Sequence, residues 1–453
     1  MRRLDDEERE QYFDHIIQSL DEQKKEAFRE SFLELHPTDQ MELFRSLDKT
    51  KRALVYQYVT ADEFADIFQG FELDEQEDFV LELEENYAAE MFNQMHADDI
   101  ADFLSELNEP HAKAILNAMD KDEADDVKEL LSYEQETAGA IMTKEYISIR
   151  ATNTASDVIE LLRQEGPNAE TIYYLYVVDD KDKLVGVVSL RDLIIASTEE
   201  KVEKLMSSRV VSVEVHTDQE EVAKIIRDYD FLAAPVVTST NELIGIITVD
   251  DVIDVIEEET TEDVGEISAA RGATDVNVSA FTAAKKRAPW IILLMFFGLI
   301  TAEVIGQFEE TLEAIVLLAV FIPLIMDSAG NTGTQSLAVM VRALATGSFE
   351  KKGLLNTIKR EFGTGLMLGI ICAVVLMILV PLLYDSYMLA FIVGISLFLT
   401  LSVATIIGAV VPVIITKLKL DPAIASGPFI TTVNDILGLL IYFSIATSLL
   451  QYL

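Results

Sequence analysis

Two aspartates stand inside stretches of sequence that are otherwise apolar enough to cross a membrane. Asp327 lies within residues 323–335, and Asp435 follows the segment 426–434. A carboxylate near the bilayer centre costs at least ~2.5–3.5 kcal/mol on insertion scales, so it is tolerated mainly where it faces water, a cation or a partner. No Lys or Arg lies within either stretch to neutralise it. The two residues therefore predict a bound cation or proton at membrane depth.

The neighbours of both acids offer oxygen atoms and bare backbone. Hydroxyl and amide side chains are supplied by Asn331, Thr332, Thr334, Gln335, Thr431, Thr432 and Asn434, and glycines by Gly330, Gly333 and Gly427. Oxygen-only ligands suit hard divalent ions such as Mg²⁺ or Ca²⁺. Because Mg²⁺ gives up its water reluctantly, a carboxylate with polar groups around a hydrated ion is a sensible site. The same hydroxyls could instead join one helix to another.

The last 170 residues or so contain five apolar stretches, each of which reaches the ~20 residues needed to cross hydrocarbon. They cover residues 288–306, 312–341, 362–384, 388–416 and 423–449. The loops between them alternate in charge, basic before the first stretch and after the second and fourth, acidic after the first and third. By the positive-inside rule, the N-terminus lies in the cytosol and the C-terminus outside.

Charge is concentrated in the other part of the chain. The first 276 residues hold 25 basic and 68 acidic side chains, whereas the remainder holds ten of each. A neutral, apolar second part attached to a strongly acidic first part predicts a membrane domain with a cytosolic domain that handles cations. Such acidity argues against nucleic acid as a partner, because its phosphates would be repelled.

Several other classes of protein do not fit the sequence. The single cysteine, Cys372, excludes a disulfide framework, and the five histidines lack the spacing of a zinc or haem site. The N-terminus lacks the apolar core of a cleaved signal peptide. No nucleophile–base pair or cofactor loop is visible, so we do not expect an enzyme.

Two segments of about 60 residues repeat a pattern of β-branched strands and helices. Each opens on Met followed by Thr or Ser and ends in Gly-x-x-[Ser/Thr]-x-x-Asp at a helix start, at Gly186–Asp192 and Gly245–Asp251. The pair resembles a cystathionine-β-synthase (CBS, or Bateman) module. The resemblance implies an adenine nucleotide such as ATP as a candidate ligand, bound through Ser189, Arg191, Asp192, Thr248 and Asp251. The same hydroxyls are also ordinary helix caps.

The segments on either side of the repeats are acidic and helical. Residues 1–135 read as short amphipathic helices with start signals about a dozen residues apart, as at Pro37 and Ala97, which predicts a superhelix. After the repeats, Asp251, Asp254 and Glu258 would share one face of a connecting helix. Such like charges repel each other, and a bound divalent cation would relieve the repulsion. A solvated acidic linker is the alternative.

Taken together, the chain resembles the MgtE family of magnesium channels and transporters. The most specific matches are residues 330–336, 342–346 and 421–423, and Pro428 leading to Asp435 and to residues 439–442. Two departures are Ala329, where a second glycine is expected, and Asp327, where a small uncharged residue is expected. The resemblance implies a homodimer with its pore on the dimer axis, an all-α acidic N-domain over 1–135, CBS repeats over 136–200 and 201–257, a connecting plug helix over 258–284, and a five-span α-helical transmembrane domain over 285–453.

The resemblance also implies roles for individual residues. Asp435 would be the selectivity carboxylate of the pore and hold a hydrated Mg²⁺, with Asn331 beside it. Cytosolic Mg²⁺ would bridge acidic residues and hold the channel shut. The bridging acids are expected at Asp98 (with Asp99 as an alternative), Asp102, Glu220, Asp230, Asp251, Asp254, Glu259, Glu262 and Asp263, and the shared face of the connecting helix adds Glu258.

The leading hypothesis is therefore a Mg²⁺-selective channel or transporter that mediates uptake across the cytoplasmic membrane and is closed by cytosolic Mg²⁺. A second hypothesis is a proton- or Na⁺-coupled exporter of divalent ions, in which Asp327 would be the coupling acid. A third is a sensor or scaffold that transports nothing. Neutralising the plug-helix acids would lower the sensitivity to internal Mg²⁺ or, by removing repulsion, favour closure.

Overall fold

The computed structural model describes residues 6–269, 279–345, 353–418 and 427–452. The chain divides into two compact units, residues 1–256 and 257–453. The basic residues Lys351, Lys352 and Lys419 of the expected loops, and the motif at 421–423, lie outside the described ranges. The domain boundaries expected from the sequence remain predictions.

The first unit begins with ten short helices, as the start signals predict. Local capping explains where they begin: Thr60 and Glu63 form a reciprocal capping box, and the Asn108 side chain accepts a hydrogen bond from the main chain of His111. Their apolar faces bury aromatic residues, among them Phe44 and Phe64, whose ring centroids are 5.2 Å apart. The helices are α1 (Asp6–Asp21), α2 (Lys25–Leu33), α3 (Pro37–Ser46), α4 (Lys49–Tyr58), α5 (Ala61–Phe68), α6 (Leu73–Val80), α7 (Glu85–Phe92), α8 (Ala97–Glu106), α9 (Glu109–Ala118) and α10 (Lys121–Leu130).

Two matching α/β repeats follow, each built around a three-stranded sheet. In each sheet the first strand pairs parallel with the second, and the second pairs antiparallel with the third. The first repeat contains β1 (Ser148–Arg150), α11 (Ala155–Glu165), β2 (Tyr174–Val178), β3 (Leu184–Ser189) and α12 (Leu190–Ile195). The second contains the short α13 (Val202–Leu205), β4 (Val213–Glu214), α14 (Gln219–Tyr229), β5 (Ala233–Val237) and β6 (Leu243–Thr248).

A long acidic helix, α15, begins directly after β6 and spans Val249–Ile267. It therefore runs through the boundary expected between the second repeat and the connecting helix. Its last residue, Ile267, belongs to the second unit and packs against Leu337, Val341 and Ile430. One continuous helix thus carries the acidic segment as far as an apolar cluster of the membrane helices.

The described residues of the second unit contain five helices or helical segments long and apolar enough to cross a membrane, which confirms the five predicted spans by length and composition. They are α16 (Ala280–Gly306), α18 (Ile322–Ala345, preceded by the short α17 over Glu309–Ala314 and a 3₁₀ turn over Val316–Phe321), α19 (Leu354–Tyr384), α20 (Tyr387–Lys417) and α21 (Gly427–Ser448). The second span therefore begins with irregular backbone, which membrane helices tolerate where it is buried in protein or faces a water-filled cavity. Helix α20 is the most buried of the five, with half of its most apolar stretch inside the unit.

Close helix packing around α18 depends on glycine. A Cβ on Gly333 would clash with the side chain of Asn434 on α21, and a Cβ on Gly408 of α20 would clash with the carbonyl group of Gly333. Small residues let membrane helices approach until their backbones touch. Helices α18, α20 and α21 therefore meet at Gly333, within one turn of Asn331, Thr334 and Gln335 on α18.

Candidate functional site: a cation path and an acidic cluster

The membrane unit exposes a line of polar side chains along one face of α18. Asp327, Asn331, Gln335 and Arg342 are all exposed in the described structure, and we call them the polar stripe. Their spacing of four, four and seven residues places them on one face of a helix. Asn331 donates a hydrogen bond from Nδ2 to Oδ1 of Asp327, over 3.1 Å. A face this polar does not suit contact with lipid, which requires apolar side chains.

Asp435 lies on α21, close enough to Asp327 for the two carboxylates to interact electrostatically. Its side chain is half-buried, and its Oδ1 atom is buried without a hydrogen-bond partner among the described residues. Neither acid forms an ion pair with a Lys or Arg in the part of the chain that the structure describes. The two predicted acids of the membrane domain are therefore neighbours, and the charge of neither is compensated within that part of the chain.

Two further polar residues of the membrane helices are buried: Asn434, which the sequence placed among the oxygen-bearing neighbours of the acids, and Glu361, which it did not single out. Asn434 is only 1% exposed, and neither amide atom has a partner among the described residues. Glu361 on α19 is 6% exposed and accepts a hydrogen bond from Ser336 of α18, over 2.9 Å. No spacing in the sequence predicts this contact, because it joins residues of different helices.

The first unit brings together carboxylates from α8 and α15, which we call the acidic cluster: Asp98, Asp99, Asp102, Asp251 and Asp254. Asp98 is half-buried, and its Oδ1 atom is buried without a partner within the described ranges. Burial, together with the charges of Asp99 and Asp251, raises the pKa of Asp98 well above its usual value. Burial likewise raises the pKa of Asp99 to about 7.

Asp251 occupies the start of α15 and accepts hydrogen bonds from its own helix cap. The Thr248 hydroxyl donates to Oδ2 of Asp251 over 2.5 Å, and the Thr248 main-chain N–H donates over 3.1 Å. These bonds favour the charged carboxylate, yet burial outweighs them and raises the pKa of Asp251 to about 6. Partial desolvation, with the charges of Glu106 and Asp254, raises the pKa of Asp102 as well.

The first CBS repeat adds two acids to these surroundings that the sequence analysis did not foresee. Glu145 and Glu170 both act on the charge of Asp98. Glu145 accepts hydrogen bonds from the Thr143 hydroxyl at 2.6 Å and the Ala97 main chain at 3.2 Å. Glu170 pairs with Nδ1 of His96, and this pairing raises the pKa of His96 to about 9. Both acids lie outside the regular elements, so no helical or strand periodicity could have pointed to them.

The arrangement is suited to a hydrated divalent cation more than to a dehydrated one. Several carboxylates crowd together, and like charges this close are relieved by a bound cation. Within the described ranges, however, no three such side chains converge as a ready-made ligand set. Mg²⁺ usually keeps several waters, through which more distant carboxylates can hold it.

The remaining predicted acids are spread over other positions. Glu220 and Asp230 lie at the two ends of α14, where Asp230 adopts a left-handed conformation with φ of 54°. Glu258 is exposed, and Glu259, Glu262 and Asp263 are half-buried, on the part of α15 that belongs to the second unit. The structure thus brings five of the predicted acids, counting the alternative Asp99, into one cluster and distributes the others along two helices.

The predicted nucleotide-binding residues occupy equivalent helix starts in the two repeats. In the first repeat, the Ser189 hydroxyl donates to Asp192 over 2.6 Å, and Arg191 is exposed beside it. In the second repeat, Thr248 is buried and Asp251 belongs to the acidic cluster. A polyphosphate would meet fewer carboxylates at the first helix start than at the second.

Comparison with known proteins agrees with this architecture. Residues 322–445 match the model of MgtE, a divalent cation transporter; residues 35–136 match the MgtE intracellular N domain; residues 138–199 and 202–258 match CBS domains. A magnesium transporter MgtE from Enterococcus faecalis is 46% identical over 448 residues, which is 98% of this chain and 99% of the relative. The chain belongs to the MgtE family.

Other members of the MgtE family support the same conclusion. The magnesium transporter MgtE of Bacillus subtilis is 42% identical and covers 97% of each chain. The soluble part of a magnesium transporter, a crystal structure, is 44% identical with a TM-score of 0.54 and covers 56% of this chain and 99% of that one. The cytosolic domain of the Mg²⁺ channel MgtE, crystallised in complex with ATP, is 37% identical with a TM-score of 0.51 and covers 53% and 98%.

Proposed function

We propose that this chain is a Mg²⁺-selective channel of the cytoplasmic membrane that mediates Mg²⁺ uptake and is closed by Mg²⁺ on the cytosolic side. The observation that carries the proposal is the polar stripe of α18. The stripe exposes the carboxylate of Asp327 and the amides of Asn331 and Gln335, one after another, on a helix of membrane-spanning length. Full-length relatives named as magnesium transporters supply the identity of the ion.

A homodimer explains why the polar stripe is exposed in a single chain. If two copies place their polar stripes around a shared axis, the Asp327 side chains of both copies face a water-filled path and not lipid. Asp435 would then lie beside that path and attract the hydrated cation, whose charge compensates both acids. Polar residues at membrane depth generally face such a path or a partner helix.

Closure by cytosolic Mg²⁺ would begin at the acidic cluster. Without a cation, Asp98, Asp99 and Asp251 repel one another, and a bound Mg²⁺ would draw α8 and the start of α15 together. Because α15 is one helix from Val249 to Ile267, a shift at its start would reach the apolar cluster that Ile267 forms with α18 and α21. The orientation with a cytosolic N-terminus rests on the charge of the loops.

ATP is proposed as a ligand of the first CBS repeat, at the helix start formed by Ser189, Arg191 and Asp192. The exposed guanidinium of Arg191 could pair with phosphate oxygens, and Asp192 could accept hydrogen bonds from ribose hydroxyls. A related cytosolic domain has been crystallised with ATP, which supports this proposal. The equivalent position in the second repeat is disfavoured, because Asp251 lies among carboxylates that would repel a triphosphate.

The proposed function is tested by recording current from the full-length protein in a planar bilayer with Mg²⁺ as the sole permeant cation. We expect a current that reverses near the Mg²⁺ equilibrium potential and is unaffected by a proton gradient. A Mg²⁺ concentration of a few millimolar on the cytosolic face should suppress it. Flux that requires a proton or Na⁺ gradient would instead establish the coupled exporter.

A further inference from the structure

Asp327 is a second acid in the membrane domain, and its contacts leave much of its binding capacity available. Of the described side chains, only Asn331 hydrogen-bonds to it, through Oδ1. Because the Asn331 amide uses its NH₂ group for this bond, its carbonyl oxygen is left as a further acceptor. One face of α18 therefore presents a carboxylate and an amide oxygen, both acceptors, one helical turn apart.

Neither lipid nor a basic side chain accounts for Asp327. The nearest basic residue along α18 is Arg342, 15 positions away, which is about 22 Å at the helical rise. Asp327 takes part in no ion pair within the described ranges. Asp435, which lies within electrostatic range of it, is also an acid and has a buried Oδ1 without a partner among the described residues. Two carboxylates that repel each other in a membrane require a cation or a proton between or beside them.

We propose that Asp327, together with the side-chain oxygen of Asn331, forms a second binding station for a hydrated divalent cation next to Asp435. The inference rests on the proposed function and adds to it that Asp327 sets the affinity of the path for its cation. The waters of a hydrated Mg²⁺ are donors, and the station offers only acceptors. The ion remains hydrated, so no ligand has to displace a strongly held water.

The station has a specific consequence for affinity. A carboxylate about 8 Å from a divalent ion in a partly aqueous path stabilises it enough to change its binding constant about tenfold. Loss of the charge should therefore weaken cation binding and leave the path open, because Asp435 remains. A proton carried by Asp327, as in a coupled transporter, would have a different signature, namely flux that follows the proton gradient.

The test uses hexaamminecobalt(III), an inert complex with the size and donor groups of hydrated Mg²⁺. Its block of the Mg²⁺ current is measured in the full-length wild type, in Asp327→Asn, in Asp327→Glu and in Asn331→Ala. Asp385→Asn is the matched control, since Asp385 is an exposed acid that ends α19 away from the polar stripe. Assembly of each variant is checked by its elution volume in detergent.

We expect the concentration for half-maximal block to rise about tenfold in Asp327→Asn, severalfold in Asn331→Ala and little in Asp327→Glu or Asp385→Asn. The Mg²⁺ concentration for half-maximal current should rise in parallel. Unchanged block in both Asp327→Asn and Asn331→Ala overturns the station, even if Asp435 variants abolish current. Current that follows a proton gradient in the wild type and loses this dependence in Asp327→Asn also overturns it. Loss of current in Asp327→Asn with unaltered block in Asn331→Ala counts against it as well.

Discussion

Asp435→Ala is expected to abolish Mg²⁺ uptake while the protein still assembles in the membrane. The substitution removes a half-buried carboxylate whose Oδ1 has no partner among the described residues, so no local contact of that atom is lost. The substitution should instead weaken binding of the permeating Mg²⁺, which would no longer be attracted into the path. An interaction of about 3 kcal/mol corresponds to more than a hundredfold in occupancy.

The measurement is Mg²⁺ influx into proteoliposomes with an internal fluorescent indicator. Glu303→Ala is the matched control, because Glu303 is an exposed acid on α16 and lies near the end of that helix. The control should keep wild-type influx, and Asp435→Ala should fall to the level of empty vesicles. Thermal stability in detergent should be maintained or should rise, since a desolvated acid has been removed. Normal influx through Asp435→Ala would remove this residue from the path.

The double variant Asp98→Asn/Asp251→Asn should lose its stabilisation by Mg²⁺. In the wild type, Mg²⁺ binds the acidic cluster in the folded protein and raises its Tm, as any ligand of the native state does. The variant lacks two of the carboxylates and the repulsion between them. Its Tm without Mg²⁺ should therefore be higher than that of the wild type by about 5 °C, for roughly 2 kcal/mol of relieved repulsion and burial.

The comparison uses full-length protein in detergent, with and without Mg²⁺. Asp14→Asn/Asp180→Asn makes the same change in charge at two exposed acids of the same unit and should keep the Mg²⁺ response. In bilayers, the current of the cluster variant should no longer depend on cytosolic Mg²⁺. A Mg²⁺-induced rise in Tm equal to that of the wild type would show that the ion binds elsewhere.

The pH dependence of the same measurement follows from the raised pKa values. Free carboxylates titrate near ~4, whereas the pKa is about 7 for Asp99 and about 6 for Asp251 in the folded protein. Between about pH 4 and about pH 7, the folded state therefore holds more protons than the unfolded state, so stability falls as the pH rises across this range and levels off above it. Without Mg²⁺, the Tm of the wild type should fall further between pH 5.5 and pH 8 than the Tm of Asp98→Asn/Asp251→Asn. The rise in Tm that Mg²⁺ causes should be larger at pH 8 than at pH 5.5, because protons no longer compete with Mg²⁺ for the carboxylates.

Local signals in the sequence were sufficient to predict most helices and strands. Helices α3 and α8 begin at Pro37 and Ala97, as the sequence predicts. Caps and apolar periodicity act within one or two turns, so a single sequence displays them. The polar stripe could be foreseen for the same reason, since Asp327 and Asn331 are four residues apart.

Contacts between distant segments could not be predicted in this way. Glu145 and Glu170 join the surroundings of Asp98 from loops about 47 and 72 positions away in the sequence. Asn434 packs against Gly333, where a side chain would clash with it, and Glu361 accepts a hydrogen bond from Ser336 of another helix. Such contacts are set by how helices pack, and no local pattern records the packing partner.

The most direct test of the account asks whether the polar stripe faces water. In a Cys372→Ser background, which removes the single native cysteine, Gln335→Cys and Val374→Cys each place one thiol at an exposed position of a membrane helix. We expect a membrane-impermeant methanethiosulfonate reagent to modify Gln335→Cys and reduce its Mg²⁺ current, with Mg²⁺ slowing the reaction, and to leave Val374→Cys unmodified in lipid. An inert Gln335→Cys, or equal reactivity of both thiols, would contradict a cation path along α18.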